Sequence, residues 1–368
     1  MKRLFLLLSF TIIGYAEEYP FLFGLDMEQG AINIASLYNL TNRACDFGIS
    51  RNIIARSGKM VVFDIPLSLW TTTIHHEYFG HGIRARELGL SASYYIPFPW
   101  EYVLWWNLKK VKRAYCSVWG YPSDIEKRLQ MSVSGIEANQ LLAHKIQRQF
   151  YKKENIHYYE ALLFFHNKLY VNSYIYHTPN PNSSEDDFRK ELSEGGDIAT
   201  YLVRMDEKEA KSDYKENYTK LKREAMWNLA DPSLWMAAYF LGRYLAFGEK
   251  DFKMPRFKGI GMGTRFNLTP MGEEFYLDIY QKTKYFYLRK GEGFYGAGIG
   301  IDGSFLSGRI DLWRQSNKEG YHLNASFTKG MTNWIEFIIE AGLKTEGYLM
   351  GKGFKESRYG AIGLGLSF

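Results

Sequence analysis

Ala361-Ile-Gly-Leu-Gly-Leu-Ser-Phe368 closes the chain in strict alternation, with Ile362, Leu364, Leu366 and Phe368 facing one way and Ala361, Gly363, Gly365 and Ser367 the other. A period of two is the signature of a strand with one apolar face. The same alternation recurs upstream. Ile335, Phe337, Ile339, Ala341 and Leu343 alternate with Glu336, Ile338, Glu340 and Gly342, and Leu323, Ala325 and Phe327 alternate with His322, Asn324 and Ser326. Tyr295, Ala297, Ile299 and Ile301 form another such segment, and Ile260, Met262, Phe266 and Leu268 another. Between Phe257 and Phe368 the sequence holds about eight segments of roughly ten residues joined by short turns, the repeat of a small antiparallel barrel.

A last strand that alternates in this way and ends on phenylalanine resembles the closing strand of bacterial outer-membrane barrels. That resemblance implies an apolar face turned to lipid; alternation alone also fits a soluble lipocalin-like barrel. The opposite end of the chain agrees with export. Met1 to Ala16 combines Lys2 and Arg3, an apolar run from Leu4 to Ile13 and the small-residue site Gly14-Tyr15-Ala16, which is the organisation of a secretory signal and too short to span a bilayer. With 46% hydrophobic and 17% aromatic residues the chain can bury a large core, and its length suggests two domains. The net charge of +6 is spread without a Lys/Arg run or a nucleic-acid motif, so nucleic acid is not an expected partner. Cys45 and Cys116 fit either one disulfide or two free thiols.

Upstream of Phe257 the stride is helical. A helix is expected from Met60 to Leu90, with Pro66 starting or kinking it, and another from Pro122 to Tyr151 with Asp124 at its acidic start. Pro179 to Ser184 reads as a turn, and Trp235 to Leu245 as an apolar helix ending near Gly248. Tyr19 to Ser57 carries no clear pattern. The expected class is α+β: a signal peptide over 1–16, a helical domain over 17–250 and a barrel of about eight strands over 251–368.

The chemistry is expected in Thr73-Ile-His-His-Glu-Tyr-Phe-Gly-His-Gly-Ile-Arg-Ala-Arg-Glu-Leu-Gly89, which holds three of the eight histidines. Neutral imidazoles suit Zn²⁺, and a carboxylate beside the ion can move a proton from the attacking water to a leaving amine. His76-Glu-Tyr-Phe-Gly-His81 is one residue longer than His-Glu-x-x-His, so on a regular helix the two imidazoles diverge by roughly 140° rather than about 40°. A π-bulge relaxed at Gly80 would bring His76 and His81 together; on a regular helix Glu77 would itself be a ligand beside His81. Glu137, a carboxylate among apolar and small residues on the second helix, is the expected third ligand because such burial needs a partner. Glu87 is its rival, although Arg84 and Arg86 favour a surface ion pair there. Asn139 and His144 are weaker candidates, and His144 is expected to be exposed.

The hexapeptide resembles the His-Glu-Leu-Leu-Gly-His of the dipeptidyl peptidase III family, which carries the same extra residue and takes its third zinc ligand from a later glutamate. The wider context resembles the site-2 protease family, in which His-Glu-x-Gly-His is followed by Ala and Gly at the spacing of Gly80 to Gly89. A later Ala-Gly-Pro-x-x-Asn stretch of that family is similar to Ser134-Gly-Ile-Glu-Ala-Asn-Gln-Leu-Leu-Ala143. The chain departs from that family in the inserted residue and in lacking its Asn-x-x-Pro…Asp-Gly motif, of which Asn228-Leu-Ala-Asp-Pro232 is an echo.

These residues lead to the expectation of a zinc peptidase of the bacterial outer membrane. His76, His81 and Glu137 would hold Zn²⁺, Glu77 would be the general base, and peptide or protein substrates and outer-membrane lipid would be the partners. The competing expectation is a non-enzymatic outer-membrane protein whose histidines are structural.

Overall fold

The computed structural model describes residues 18–24, 26–46, 52–102, 114–120, 122–153, 155–210, 213–315, 318–332 and 334–367. The expected signal segment and Phe368 lie outside these described residues. Mixed helix and sheet confirm the α+β class. The large sheet has nine antiparallel strands: β1 (Glu18–Phe23), then β4 (Gly261–Thr269), β5 (Gly272–Gln281), β6 (Lys284–Gly291), β7 (Phe294–Asp302), β8 (Leu306–Gln315), β9 (Lys318–Gly330), β10 (Ile335–Lys344) and β11 (Ser357–Ser367). A separate hairpin pairs β2 (Ser91–Tyr95) with β3 (Tyr115–Trp119). The eight consecutive strands match the alternating segments; the ninth comes from the patternless N-terminal stretch. β1 pairs with β11, Tyr19 opposite Leu366 and Phe23 opposite Ile362. The expected boundary at 250/251 therefore divides a sheet that draws a strand from each side of it.

The sheet is open between β1 and β4, where the sequence suggested a closed barrel. The reason is visible in its edges. Backbone groups of β1 that point away from β11 are taken by helix α1 (Met27–Cys45): Leu22 N–H donates to Asn33 Oδ1 at 2.7 Å, Asn33 Nδ2 donates to Leu22 O, and Ser36 Oγ donates to Pro20 O. On β4, Met262 O accepts from Tyr151, Thr264 O from Lys168, and Phe266 N–H donates to Asn228 Oδ1. Helix and loop side chains thus bond to each edge at positions where a closing strand would otherwise pair.

Helix α2 is continuous through Ile53–Lys59, Met60–Asp64, Ile65–Ile74, His75–His81 and Gly82–Glu87. Pro66, which lacks an N–H, follows directly on the first of its two π-helical segments, Met60–Asp64, so the wider turn falls where the regular ladder would lose a bond. Helix α3 (Ile125–Lys152) starts on Asp124, whose side chain accepts from Glu126 N–H. It crosses α2 and runs into the concave side of the sheet. There Arg148 pairs with Asp302, and Tyr280 OH donates to Gln147. Helices α4 (Tyr158–His177), α5 (Glu185–Ser193), α6 (Asp197–Glu209), α7 (Tyr214–Ala225) and α8 (Pro232–Phe247) complete the helical side. One core joins α1, α3, α4 and α8 to the inward tyrosines 276, 280, 285 and 287 of β5 and β6; a second joins α3 to α7 with Phe266 and Leu268 of β4. His144, expected to be exposed, is buried against Tyr280.

Helices α2 and α3 cross closely at Gly80 and Gly135, where a Cβ on Gly80 would stand 2.7 Å from both Gly135 Cα and Ser134 O. Gly80→Ala is expected to force α2 and α3 apart and to cost about 1–3 kcal/mol. Gly58→Ala, with nothing within 4 Å of its Cβ, should instead raise stability by about 0.5–1 kcal/mol. Thermal unfolding of the two variants checks this, and a Gly80→Ala protein as stable as the parent would contradict the packing described.

Candidate metal centre

The second π-helical segment of α2 is His75–His81, where Gly82 N–H reaches back five residues to Glu77 O. That wider turn carries residues five apart onto one face. His76 Nε2 and His81 Nε2 come to 3.3 Å. The extra residue between the histidines is thus absorbed by the helix itself, and Gly80 permits the close crossing that holds the turn against α3.

Three donor atoms converge here. Asp197 Oδ2 is 3.1 Å from His76 Nε2 and 3.2 Å from His81 Nε2. Asp197 is the first residue of α6, placed by the Gly195-Gly196 turn in which both N–H groups close back on α5. Its identity as a ligand candidate was not legible in the sequence. An acid opening a helix after two glycines reads as an ordinary partner of the helix dipole, and nothing local distinguishes a side chain aimed at histidines far back in the chain.

The hydrogen-bond network assigns the histidine tautomers. Asn139 Nδ2 donates to Thr72 O at 3.1 Å and to Asn167 Oδ1 at 2.8 Å, so its Oδ1 is the atom facing His76 Nδ1 at 2.9 Å. Asn167 is fixed in turn by donating to Leu163 O. His76 Nδ1 must therefore carry the proton, leaving a lone pair on Nε2. His81 Nδ1 faces Met131 O at 3.0 Å and also contacts Ser134 Oγ, which itself donates to Met131 O, so the lone pair is again on Nε2. Two imidazole lone pairs and a carboxylate oxygen then point at one spot, an arrangement that repels unless a cation lies among them. Without a metal that cation is a proton on His81. Burial disfavours it, but the Asp197 carboxylate, the hydrogen bond to it and Glu77 outweigh burial and hold His81 up at about 9. Burial likewise works against a charged Asp197, yet His81 and His76 drive its carboxyl well below the usual range.

The donor set fits zinc in size as well as type. A tetrahedral ion with ligands at about 2.0 Å has donor-to-donor edges of about 3.3 Å, against the 3.1, 3.2 and 3.3 Å seen here. Room for an ion depends on Gly135. A Cβ there would lie 2.4 Å from His76 Nε2 and 2.6 Å from His81 Nε2, in the space next to the donors.

Of the expected site residues, His76 and His81 are brought together and Glu137 is not. Its carboxylate accepts from Arg84 Nη2 at 2.9 and 3.1 Å and from Gly351 N–H at 2.6 Å, so the buried charge has found its partner in an arginine and not in a metal. Glu87 pairs with the same arginine at 2.5 Å. Glu77 is buried on the same π-turn but is not one of the grouped donors, and among the described residues no hydrogen bond or ion pair engages its carboxylate. Tyr170 and Tyr174, stacked on each other, wall the site with rings 5.1 and 5.8 Å from His76. Cys116 and Cys45 are free thiols. The segment Ser134 to Asn139, singled out for its family resemblance, supplies the groups around the donors: Ser134 on His81, Gly135 in the gap and Asn139 on His76.

A cavity of about 840 Å³ lies elsewhere, between α1, α3 and the concave sheet, and its walls include none of His76, Glu77, His81 and Asp197. Comparison with protein-family models, curated proteins and solved structures gives no match.

His76→Ala, His81→Ala and Asp197→Ala are each expected to abolish stoichiometric zinc uptake, because each removes one of three donors. Glu137→Gln should keep the ion while losing about 1–3 kcal/mol of stability, since it leaves the buried Arg84 with Glu87 as its remaining carboxylate. Metal analysis after gel filtration, paired with unfolding curves, separates the two effects. Zinc retained by Asp197→Ala and lost by Glu137→Gln would reverse the assignment.

Proposed function

We propose that the protein is a zinc-dependent peptidase held at the outer membrane. The observation that carries the reading is the buried Glu77 one residue after His76, whose carboxylate meets no hydrogen-bond or ion-pair partner among the described residues, on the π-turn whose two histidines join Asp197 in a donor set with the edge lengths of a tetrahedral zinc. When bound, the ion would supply Lewis acidity toward a substrate carbonyl and toward water. The chain's own residues supply the rest. Asn139 and the Met131 carbonyl hold the two imidazoles with Nε2 inward, and Asp197 adds charge that retains a dication. Glu77 takes the proton of the attacking water on its carboxylate and passes it to the leaving amine. Glu87 and Glu137, by contrast, are both engaged by Arg84.

The membrane half of the reading rests on an inverted sheet. Outward residues Ile299, Ile310, Leu312, Ile339 and Ile362 are exposed, whereas the inward face buries the ion pairs Arg265–Asp278, Arg289–Glu274 and Arg309–Asp311. A water-soluble sheet places its apolar side inward; lipid reverses the preference. The outward residues are also neighbours across strands, Ile310 lying opposite both Ile299 and Leu323, and Leu323 opposite Leu343. Most of the strands from β4 to β11 run 9 to 11 residues, the length of about 9–11 that crosses a bilayer.

A second reading is a structural zinc site in a non-enzymatic membrane protein. The depth of the donors favours it, for His76 is 2% and Asp197 6% exposed. Glu77→Gln discriminates between the two. With peptidase function, zinc and fold are retained and peptide cleavage falls by about 10²- to 10⁴-fold. Cleavage unchanged in this variant, or no cleavage of a broad peptide library by the zinc-loaded parent, would leave the structural reading standing. Loss of zinc would make Glu77 a fourth ligand.

A further inference from the structure

Helix α8 reads PSLWMAAYFLGRYLAF over Pro232–Phe247, with Arg243 as its one charged residue. Leu234, Ala237, Phe240 and Tyr244 are buried in the core, yet Pro232, Trp235, Tyr239, Gly242 and Ala246, at the three-and-four spacing of one helix face, are exposed. That outward face has no charged or amide side chain. Arg243, beside it, is drawn aside by its ion pair with Glu249 and lies over the rings of Tyr239 and Phe247. An exposed helix in water shows a polar outer face; one that is apolar all round belongs in a core or in lipid.

The neighbours of α8 repeat the pattern. The start of α2 lies against its end, Arg56 donating to Leu245 O and Ala246 O, and exposes Ile54, Gly58, Val61 and Val62 on one face. On the other side α8 packs against the edge strand β4, whose Met262 is half exposed. These are elements at the open edge of the sheet, on the side where β4 has no strand partner.

We propose that α8, with the first turns of α2 beside it, contacts outer-membrane acyl chains and so carries the lipid-facing wall onward from β4, where the sheet itself stops. The proposal rests on the membrane placement argued above and extends it from strands to helices. Length supports the choice of occupant. Sixteen residues at about 1.5 Å each span about 24 Å, close to the apolar band of about 25 Å that outer-membrane barrels present. No helix among the described residues is long and apolar enough to cross a membrane, so α8 is proposed to line the wall beside β4 and not to span alone.

The test uses nitroxide labels on the full chain, with Cys45→Ser and Cys116→Ser, reconstituted in vesicles of phosphatidylethanolamine and phosphatidylglycerol. Labels are placed at Trp235→Cys and Tyr239→Cys on α8, at Leu312→Cys on the outward sheet face and at Lys190→Cys on an exposed polar helix. The expected result is that labels at 235, 239 and 312 collide more with oxygen than with a water-soluble nickel chelate, and that the label at 190 shows the reverse. If 312 meets lipid while 235 and 239 meet the chelate, the helices face water and the proposal falls alone. Low access to both reagents at 235 with spin–spin broadening between copies would put a second chain on the stripe and overturn it too. Chelate access at 312 as well would bring down the membrane placement and this inference with it.

Discussion

The arrangement depends on one close contact, the crossing of α2 over α3 at Gly80 and Gly135. A regular helix would turn His81 away from His76, and a side chain at either glycine would push the two helices apart or fill the space between the donors. With both conditions met, the π-turn delivers the imidazoles to one point, and the face of α3 that packs there delivers Ser134 and Asn139 to orient them. The cost of a widened helical turn is offset locally by packing, because the segment is buried on the side that meets α3. The donor set and the helix crossing are therefore a single feature: what holds the helices together also builds the site.

Helix α3 ties that feature to the sheet. Its first half carries Glu137 against Arg84 and the site, and its second half carries Gln147, Arg148 and Tyr151 into the concave face. The turn between β10 and β11 folds inward to meet it, with Tyr348 and Leu349 buried and Gly351 donating to Glu137. The interior of the sheet is thus a network of paired charges around a helix. Pairing matters here because a buried ion without a partner costs several kcal/mol, roughly the loss expected when either member of a pair is removed. Helix and loop side chains also bond to the outer edges of β1 and β4, where a closing strand would otherwise pair.

The strands of the C-terminal half were legible because alternation over ten residues has few other readings, and the long apolar helices were legible for the same reason. The His76–Glu77–His81 spacing even disclosed its own remedy, a π-turn. Three things were not legible. β1 was hidden because a short edge strand of mixed composition has no period to show, and its pairing with β11 joins the two ends of the chain. Glu137 misled because burial demands a counter-charge without saying which. Arg84 supplies it from a sequence position that reads as a surface arginine, and a metal would have satisfied the same demand. Asp197 lay in the opposite blind spot, since a carboxylate at a helix start has a sufficient local explanation. The closed barrel failed for a related reason, because alternation describes the faces of strands and carries no information on what meets their edges.

The account's central claim is that His76, His81 and Asp197 form a preformed cation site, and the most direct measurement is X-ray absorption at the zinc edge on full-length protein loaded with one equivalent of zinc. The expected spectrum has a first shell of nitrogen and oxygen only, at about 2.0–2.2 Å, with the outer-shell scattering of two imidazoles. A shell containing sulfur at about 2.3 Å, the scattering of fewer than two imidazoles, or zinc that washes away before measurement would contradict it.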